Sequence, residues 1–192
     1  MDGRHKKMKT ISIKEYKTKY LDIKEKIPGE HHFVAVYLLP YFHKIPDYVN
    51  PDGTKSFCGD IGFYNNSKLF SIEVKIGKRS FTFSKNENNN WLVKKKEPLP
   101  NYLIALTLNY FFIIEWGIFS SIFEKHRHPK IIDDERKNSL SISENILVRE
   151  LQKLDKNMGF FNLSEKNIER KIKTRFDELN EEIKLNKCLS EK

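Results

Sequence analysis

The stretch Gly59-Asp60-Ile61-Gly62-Phe63-Tyr64-Asn65-Asn66-Ser67-Lys68-Leu69-Phe70-Ser71-Ile72-Glu73-Val74-Lys75-Ile76 decides how this chain is read. Two β-rich runs, 57–64 and 69–76, flank Asn65, Asn66, Ser67 and Lys68, whose composition is that of a tight turn, so the segment is expected to fold as a β-hairpin. Successive side chains of a strand point to opposite faces, which puts Glu73 and Lys75 on the same one. With the turn centred near Asn66, the register sets Asp60 roughly opposite Glu73. Charges inside otherwise apolar strands are the informative oddity, because an ionised group leaves water only at a cost that a partner must offset.

Two carboxylates converging on one point repel each other, and a divalent cation between them relieves the repulsion. Hard oxygen ligands favour Mg²⁺ or Mn²⁺. A metal held this way polarises a phosphate oxygen and lowers the pKa of a bound water, while the neighbouring Lys75 ammonium orients that water or stabilises developing charge. The expected reaction is phosphodiester hydrolysis. The plain structural alternative is an exposed hairpin face whose Glu73 and Lys75 are solvated or paired.

The spacing Asp60-x12-Glu73-x-Lys75 across a hairpin resembles the catalytic core of the PD-(D/E)XK nuclease superfamily, over roughly residues 30–116. The resemblance implies an α/β protein with a restriction-endonuclease-like mixed β-sheet flanked by helices. It also implies Asp60 and Glu73 as metal ligands, the Val74 carbonyl as a further ligand, and Lys75 as the water-activating residue. Some members add a glutamate from the preceding helix, which points to Glu30. The literal Pro-Asp pair of the family's name falls at Pro51-Asp52, whereas Asp60 follows Gly59. Asp60 is preferred because a ligand belongs on a rigid element, while Asp52 precedes Gly53 in a turn-forming stretch. The implied activity is that of a Mg²⁺-dependent DNA endonuclease in restriction or another defence system. A Holliday-junction resolvase or an RNA-cutting enzyme remains open within the enzyme class, and a non-catalytic basic nucleic-acid-binding or assembly module outside it.

The charge distribution points the same way. The 192-residue chain carries a net charge of +9. Residues 1–132 hold 22 Lys or Arg against 13 Asp or Glu, and residues 133–192 hold 13 of each, so the surplus lies in the first part. Lys78, Arg79, Lys85, Lys94, Lys95 and Lys96 follow the catalytic strand closely and are candidates for contacts with a nucleic-acid backbone. Lysine-rich loops are more often simply solvated. Trp91 and Trp116 could stack on bases, although buried core aromatics are commoner. His31, His32, His43, His126 and His128 form no convincing ligand set; His126 and His128 follow an expected helix end, where basic residues suit the dipole.

Around the hairpin, Ser12 and Glu15 have capping-box spacing and open a helix towards Lys26, and 30–43, whose period is ambiguous between a buried helix and a strand, is read as a helix from its length. A short strand is expected at 80–83, and a helix towards Val93 from the capping-box pair Ser84 and Glu87. Strands are expected at 102–107 and 110–116, then a helix at 117–125. Period-3.6 patterns at 142–154 and 164–185 predict two further helices. The expected organisation is therefore a nuclease core over 1–132 with its N-terminal helix, and a helical C-terminal extension over 133–192 for packing, homodimerisation or DNA contact. Cys58 and Cys188 lack metal-binding spacing, and neither a signal segment nor a stretch of roughly 20 apolar residues is present, so a cytoplasmic protein with reduced thiols and no membrane insertion is expected.

Overall fold

In a computed structural model, residues 13, 33–49, 59–65, 68–84, 99–126, 128–129, 139–154 and 159–185 are described. A π-helical turn (Val34–Leu38) runs into a 3-10 turn (Leu39–Tyr41), and the chain then continues through strands β1 (Tyr48–Val49), β2 (Ile61–Asn65), β3 (Lys68–Ile76), β4 (Ser80–Ser84), β5 (Tyr102–Leu106) and β6 (Tyr110–Glu115). Helix α1 (Trp116–His126), strands β7 (His128–Pro129) and β8 (Ser139–Ser143), helix α2 (Glu144–Lys153), strand β9 (Phe160–Asn162) and helix α3 (Ile168–Leu185) follow. The expected helices at 12–26 and 84–93 lie outside the described residues, apart from Ile13, which is fully buried, and Ser84, which ends β4 as a strand residue.

The main sheet is mixed, in the order β1-β2-β3-β5-β6-β9, and β4-β8-β7 form a second, antiparallel sheet. The hairpin closes with Asn65 opposite Lys68 and Ile61 opposite Ile72. β3 and β5 pair in parallel, so the chain between them must cross over the sheet, and β4 is part of that crossover. The mixed sheet flanked by helices is the α/β architecture expected from the sequence.

Alternation along the strands feeds two cores. Phe70, Ile72 and Val74 of β3 join Ile104 of β5, Phe111 of β6 and the α3 stripe Ile168, Ile172, Phe176, Leu179 and Ile183. On the opposite face Leu103 and Ala105 meet Phe81 and Phe83 of β4, Phe119 and Phe123 of α1, and Leu147 and Leu151 of α2. The three- and four-residue spacing in α3 lays one apolar stripe on the sheet. Phe176 is its centre, with its ring 4.6 Å from that of Tyr41, 5.5 Å from Phe42 and 6.2 Å from Phe111. Asn180, also buried, donates to the Tyr41 carbonyl at 2.9 Å and accepts from the His43 amide at 3.0 Å, tying α3 to the N-terminal segment.

The chain after residue 132 is more than a helical extension. β8 pairs with β4 through five residue pairs, β9 pairs with β6, and α3 lines the first core. Neither the alternating run Ser139–Ser143 nor the three-residue β9 was anticipated from the sequence, which displayed the helices that follow them. Among the described residues no helix is long and apolar enough to cross a membrane.

Two measurements test this packing. Phe176→Ala is expected to cost about 3–5 kcal/mol, read as a lower urea midpoint with an unchanged slope. Glu150 of α2 accepts from Lys153 at 2.8 Å and lies 3.4 Å from His126 and 3.5 Å from Lys125. The Lys153 hydrogen bond, aided by these neighbours, pulls its pKa from the ordinary 4.5 to about 2. A depressed carboxylate stabilises the fold fully above its unfolded pKa, so this contribution is expected to fade as pH falls from about 4.5 towards 2. Glu150→Gln should flatten that limb of the stability–pH curve.

Candidate metal and nucleic-acid site

The site is built where β2 begins. Gly59 has φ +69°, and the Asp60 amide donates to the Ile72 carbonyl at 2.8 Å. A Cβ on Gly59 would lie 2.7 Å from that carbonyl oxygen, so glycine is required for both backbone conformation and space. β3 runs on past its pairing with Ile61, and there the Val74 amide donates to Asp60 Oδ2 at 2.7 Å. A side-chain carboxylate thus continues the hydrogen-bond ladder just before the first residue of β2. Asp60 is 6% exposed.

Glu73 and Lys75 share a face, as the alternation required, and it is the face turned towards β4. Lys75 Nζ lies 2.8 Å from Glu73 Oε1, and both side chains are largely withdrawn from water. The Lys75 ammonium also sits 5.4 Å from the centre of the Phe83 ring, a cation–π contact from β4. Its neighbour in β5 is Ala105, and a methyl group at that register position leaves room for the long lysine stem.

Two separate contacts link the three expected residues: Asp60 to the Val74 amide, and Glu73 to Lys75. Asp60 contacts the peptide nitrogen that joins Glu73 to Val74, so both acids border the same peptide unit. In an extended strand the N–H and C=O of one residue point to the same side, which directs the Val74 carbonyl towards Asp60 as well. Two carboxylates and a carbonyl are the oxygen donors that suit Mg²⁺ or Mn²⁺. Among the described residues no group of three or more His, Cys, Asp or Glu comes together, so a further acid would have to come from elsewhere in the chain. Glu30 and Asp52 lie outside the described residues, as do Lys85, Lys94, Lys95, Lys96, His31, His32 and Trp91.

The remaining candidates have other roles. Trp116 is buried in the second core, and His126 pairs with Glu150. His43 is exposed and lies 3.4 Å from Asp177. Lys78 and Arg79 are exposed on the β3–β4 turn, immediately beyond Lys75. There they line, with Lys75, a cavity of about 690 Å³ that also takes in Ser80 and Thr82. These two hydroxyls were not singled out from the sequence. Their alternation with Phe81 and Phe83 was visible, but nothing in it says which strand they face.

Gly59→Ala is expected to lower stability by about 1–3 kcal/mol, measured by urea unfolding, because it strains the turn that carries Asp60. Comparison with known proteins found no matching family model, no matching curated protein and no matching solved structure.

Proposed function

We propose that this chain is a metal-dependent endonuclease that hydrolyses DNA phosphodiester bonds, with a restriction-endonuclease-like core, acting in the cytoplasm in restriction or another defence system. The observation that supports it is that Asp60 bonds the peptide between Glu73 and Val74 while Glu73 pairs with Lys75, beside a turn carrying two further cations. Asp60, Glu73 and the Val74 carbonyl would hold Mg²⁺ or Mn²⁺. When bound, the cation supplies a positive charge against the attacked phosphate and makes water more acidic.

The chain's own residues do the rest. Lys75, held by Glu73 and seated over Phe83, donates to the attacking water or to the charge that grows on the phosphate oxygens. The surrounding apolar side chains of Leu103 and Phe83 limit competing solvent, which strengthens each of these contacts. Water adds to phosphorus as one P–O bond breaks, leaving a phosphate on one end and a hydroxyl on the other. Pairing of two chains through the C-terminal helices would let two sites cut two strands.

A second reading, a non-catalytic basic nucleic-acid-binding or assembly module, is favoured by a specific feature. Asp60 is bonded to Val74 and Glu73 to Lys75, so each acid already has a partner within the protein. That module would bind nucleic acid with strong salt dependence, indifferent to Mg²⁺ and to Glu73→Gln.

Supercoiled plasmid, a four-way junction and single-stranded RNA, each incubated with and without Mg²⁺, separate the readings. The wild type is expected to nick plasmid only with the metal. Asp60→Ala and Lys75→Ala should each lower the rate by about 10²–10⁴-fold, with duplex binding largely intact in Asp60→Ala. Full cleavage by either variant would remove the nuclease reading, and cleavage confined to the junction or to RNA would reassign the substrate.

A further inference from the structure

The β3–β4 turn is built more firmly than a solvated lysine loop needs. Three backbone hydrogen bonds anchor it to two other parts of the fold. The Gly77 amide donates to the Leu106 carbonyl at 3.0 Å, the Leu108 amide to the Lys78 carbonyl at 3.1 Å, and the Glu144 amide to the Arg79 carbonyl at 2.9 Å. The carbonyls of both cationic residues are thus engaged by neighbouring elements, and their side chains project from a fixed backbone.

Gly77 makes the turn possible. A Cβ there would fall 2.0 Å from the Ser80 carbonyl oxygen, a contact that no side chain tolerates. The anchoring elements are themselves tied together. Asn109 donates to the carboxylate of Glu144 at 2.6 Å, and Glu144, at the first turn of α2, is 2% exposed. A carboxylate at a helix N-terminus interacts favourably with the helix dipole.

The cavity framed by this turn has the chemistry of an anion site. Its lining holds Lys75, Lys78 and Arg79, with the hydroxyls of Ser80 and Thr82, and none of its described lining side chains is acidic. Its volume, about 690 Å³, lies within the range of roughly 300–1,000 Å³ typical of ligand sites. It opens onto Lys75, the residue that also pairs with Glu73.

We infer that this cavity seats a backbone phosphate of the substrate strand other than the one being cut, so that Lys75 stands between two successive phosphates. The inference rests on the nuclease reading for the position of the cut. The seat itself rests on the turn. A preorganised cationic turn offers donors whose ordering has already been accomplished in folding, so less entropy is lost when a phosphate binds. The partner is a nucleic-acid strand rather than a small diester, because a mononucleotide diester has no neighbouring phosphate to place there.

The test uses the full chain and a 20-base-pair duplex, with binding measured without divalent metal across a range of salt and cleavage measured separately with Mg²⁺. Lys78→Ala/Arg79→Ala is compared with Lys166→Ala/Lys173→Ala, which removes the same charge from exposed positions on the opposite side of the main sheet. The turn variant is expected to bind at least about 10-fold more weakly and to reduce the slope of log K against log salt by about 2. The control variant should change both far less. Equal losses in the two variants, or unchanged binding by the turn variant, would overturn the phosphate seat whatever the cleavage result. A wild type that binds through this turn but does not cut would instead overturn the nuclease reading and leave the seat standing. Gly77→Ala gives an independent check, since it should weaken binding with both cations still present; unchanged binding in that variant, with the fold verified by circular dichroism, would count against a seat that depends on the turn's geometry.

Discussion

The constraint on which the rest of this structure depends is the two-sided character of β3. The strand is flanked by an antiparallel neighbour on one edge and a parallel one on the other, and its two faces look into different layers. Even-numbered positions, Phe70, Ile72 and Val74, must be apolar because α3 and the N-terminal helical turns close over them. Odd-numbered positions, Ser71, Glu73 and Lys75, face the layer that contains β4. A shift of one residue in register would bury two charges in the first core and expose its apolar residues, at a cost that no local interaction could offset. The register of the hairpin is therefore fixed by hydrophobic burial, and the position of Asp60 beside the Val74 amide follows from it.

Keeping three ionisable groups at the end of such a strand is expensive unless each is matched. Asp60 is matched by a backbone amide, and Glu73 by an ammonium that rests on an aromatic ring. Ion pairs withdrawn from water are weak evidence of stabilisation, since desolvation consumes much of the attraction, and apolar side chains of similar size would often serve stability as well. They stand at the end of the central parallel pair of strands, next to a basic cavity, where the proposed function would use them. The same arrangement accounts for the glycines at each end of the site. Gly59 lets the chain approach Ile72 closely enough for Asp60 to reach Val74, and Gly77 lets the turn close beneath Lys78 and Arg79.

Much of the hairpin was legible because its signals are local. Turn-forming residues at 65–68, β-rich runs on either side and the alternation of charge with apolar residues all lie within 20 positions of one another. Strands β5 and β6 were legible as β-rich apolar runs, and helices α1, α2 and α3 from residue patterns within each segment. β8 and β9 were not. Their pairing partners, β4 and β6, lie about 50 to 60 residues away in sequence, and a short run such as Phe160–Asn162 becomes a strand only because an edge of the main sheet is available to it. The cavity beside Lys75 was hidden likewise: Lys78 and Arg79 were visible as cations, but the carbonyl acceptors that fix their backbone bond to Leu108 and Glu144, far along the chain.

The amino-acid order by itself determined that Glu73 and Lys75 share a face, that an acid lies across a turn from them, and that an amphipathic helix ends the described chain, because periodicity and spacing are properties of a single segment. Only the tertiary structure decided that Asp60 would bond the Val74 amide, that the segment after residue 132 would complete both sheets, and that three cations would surround one cavity. Those outcomes depend on which distant edges and faces are left unsatisfied once the local elements have formed, and burial of apolar surface together with completion of backbone hydrogen bonds selects among them.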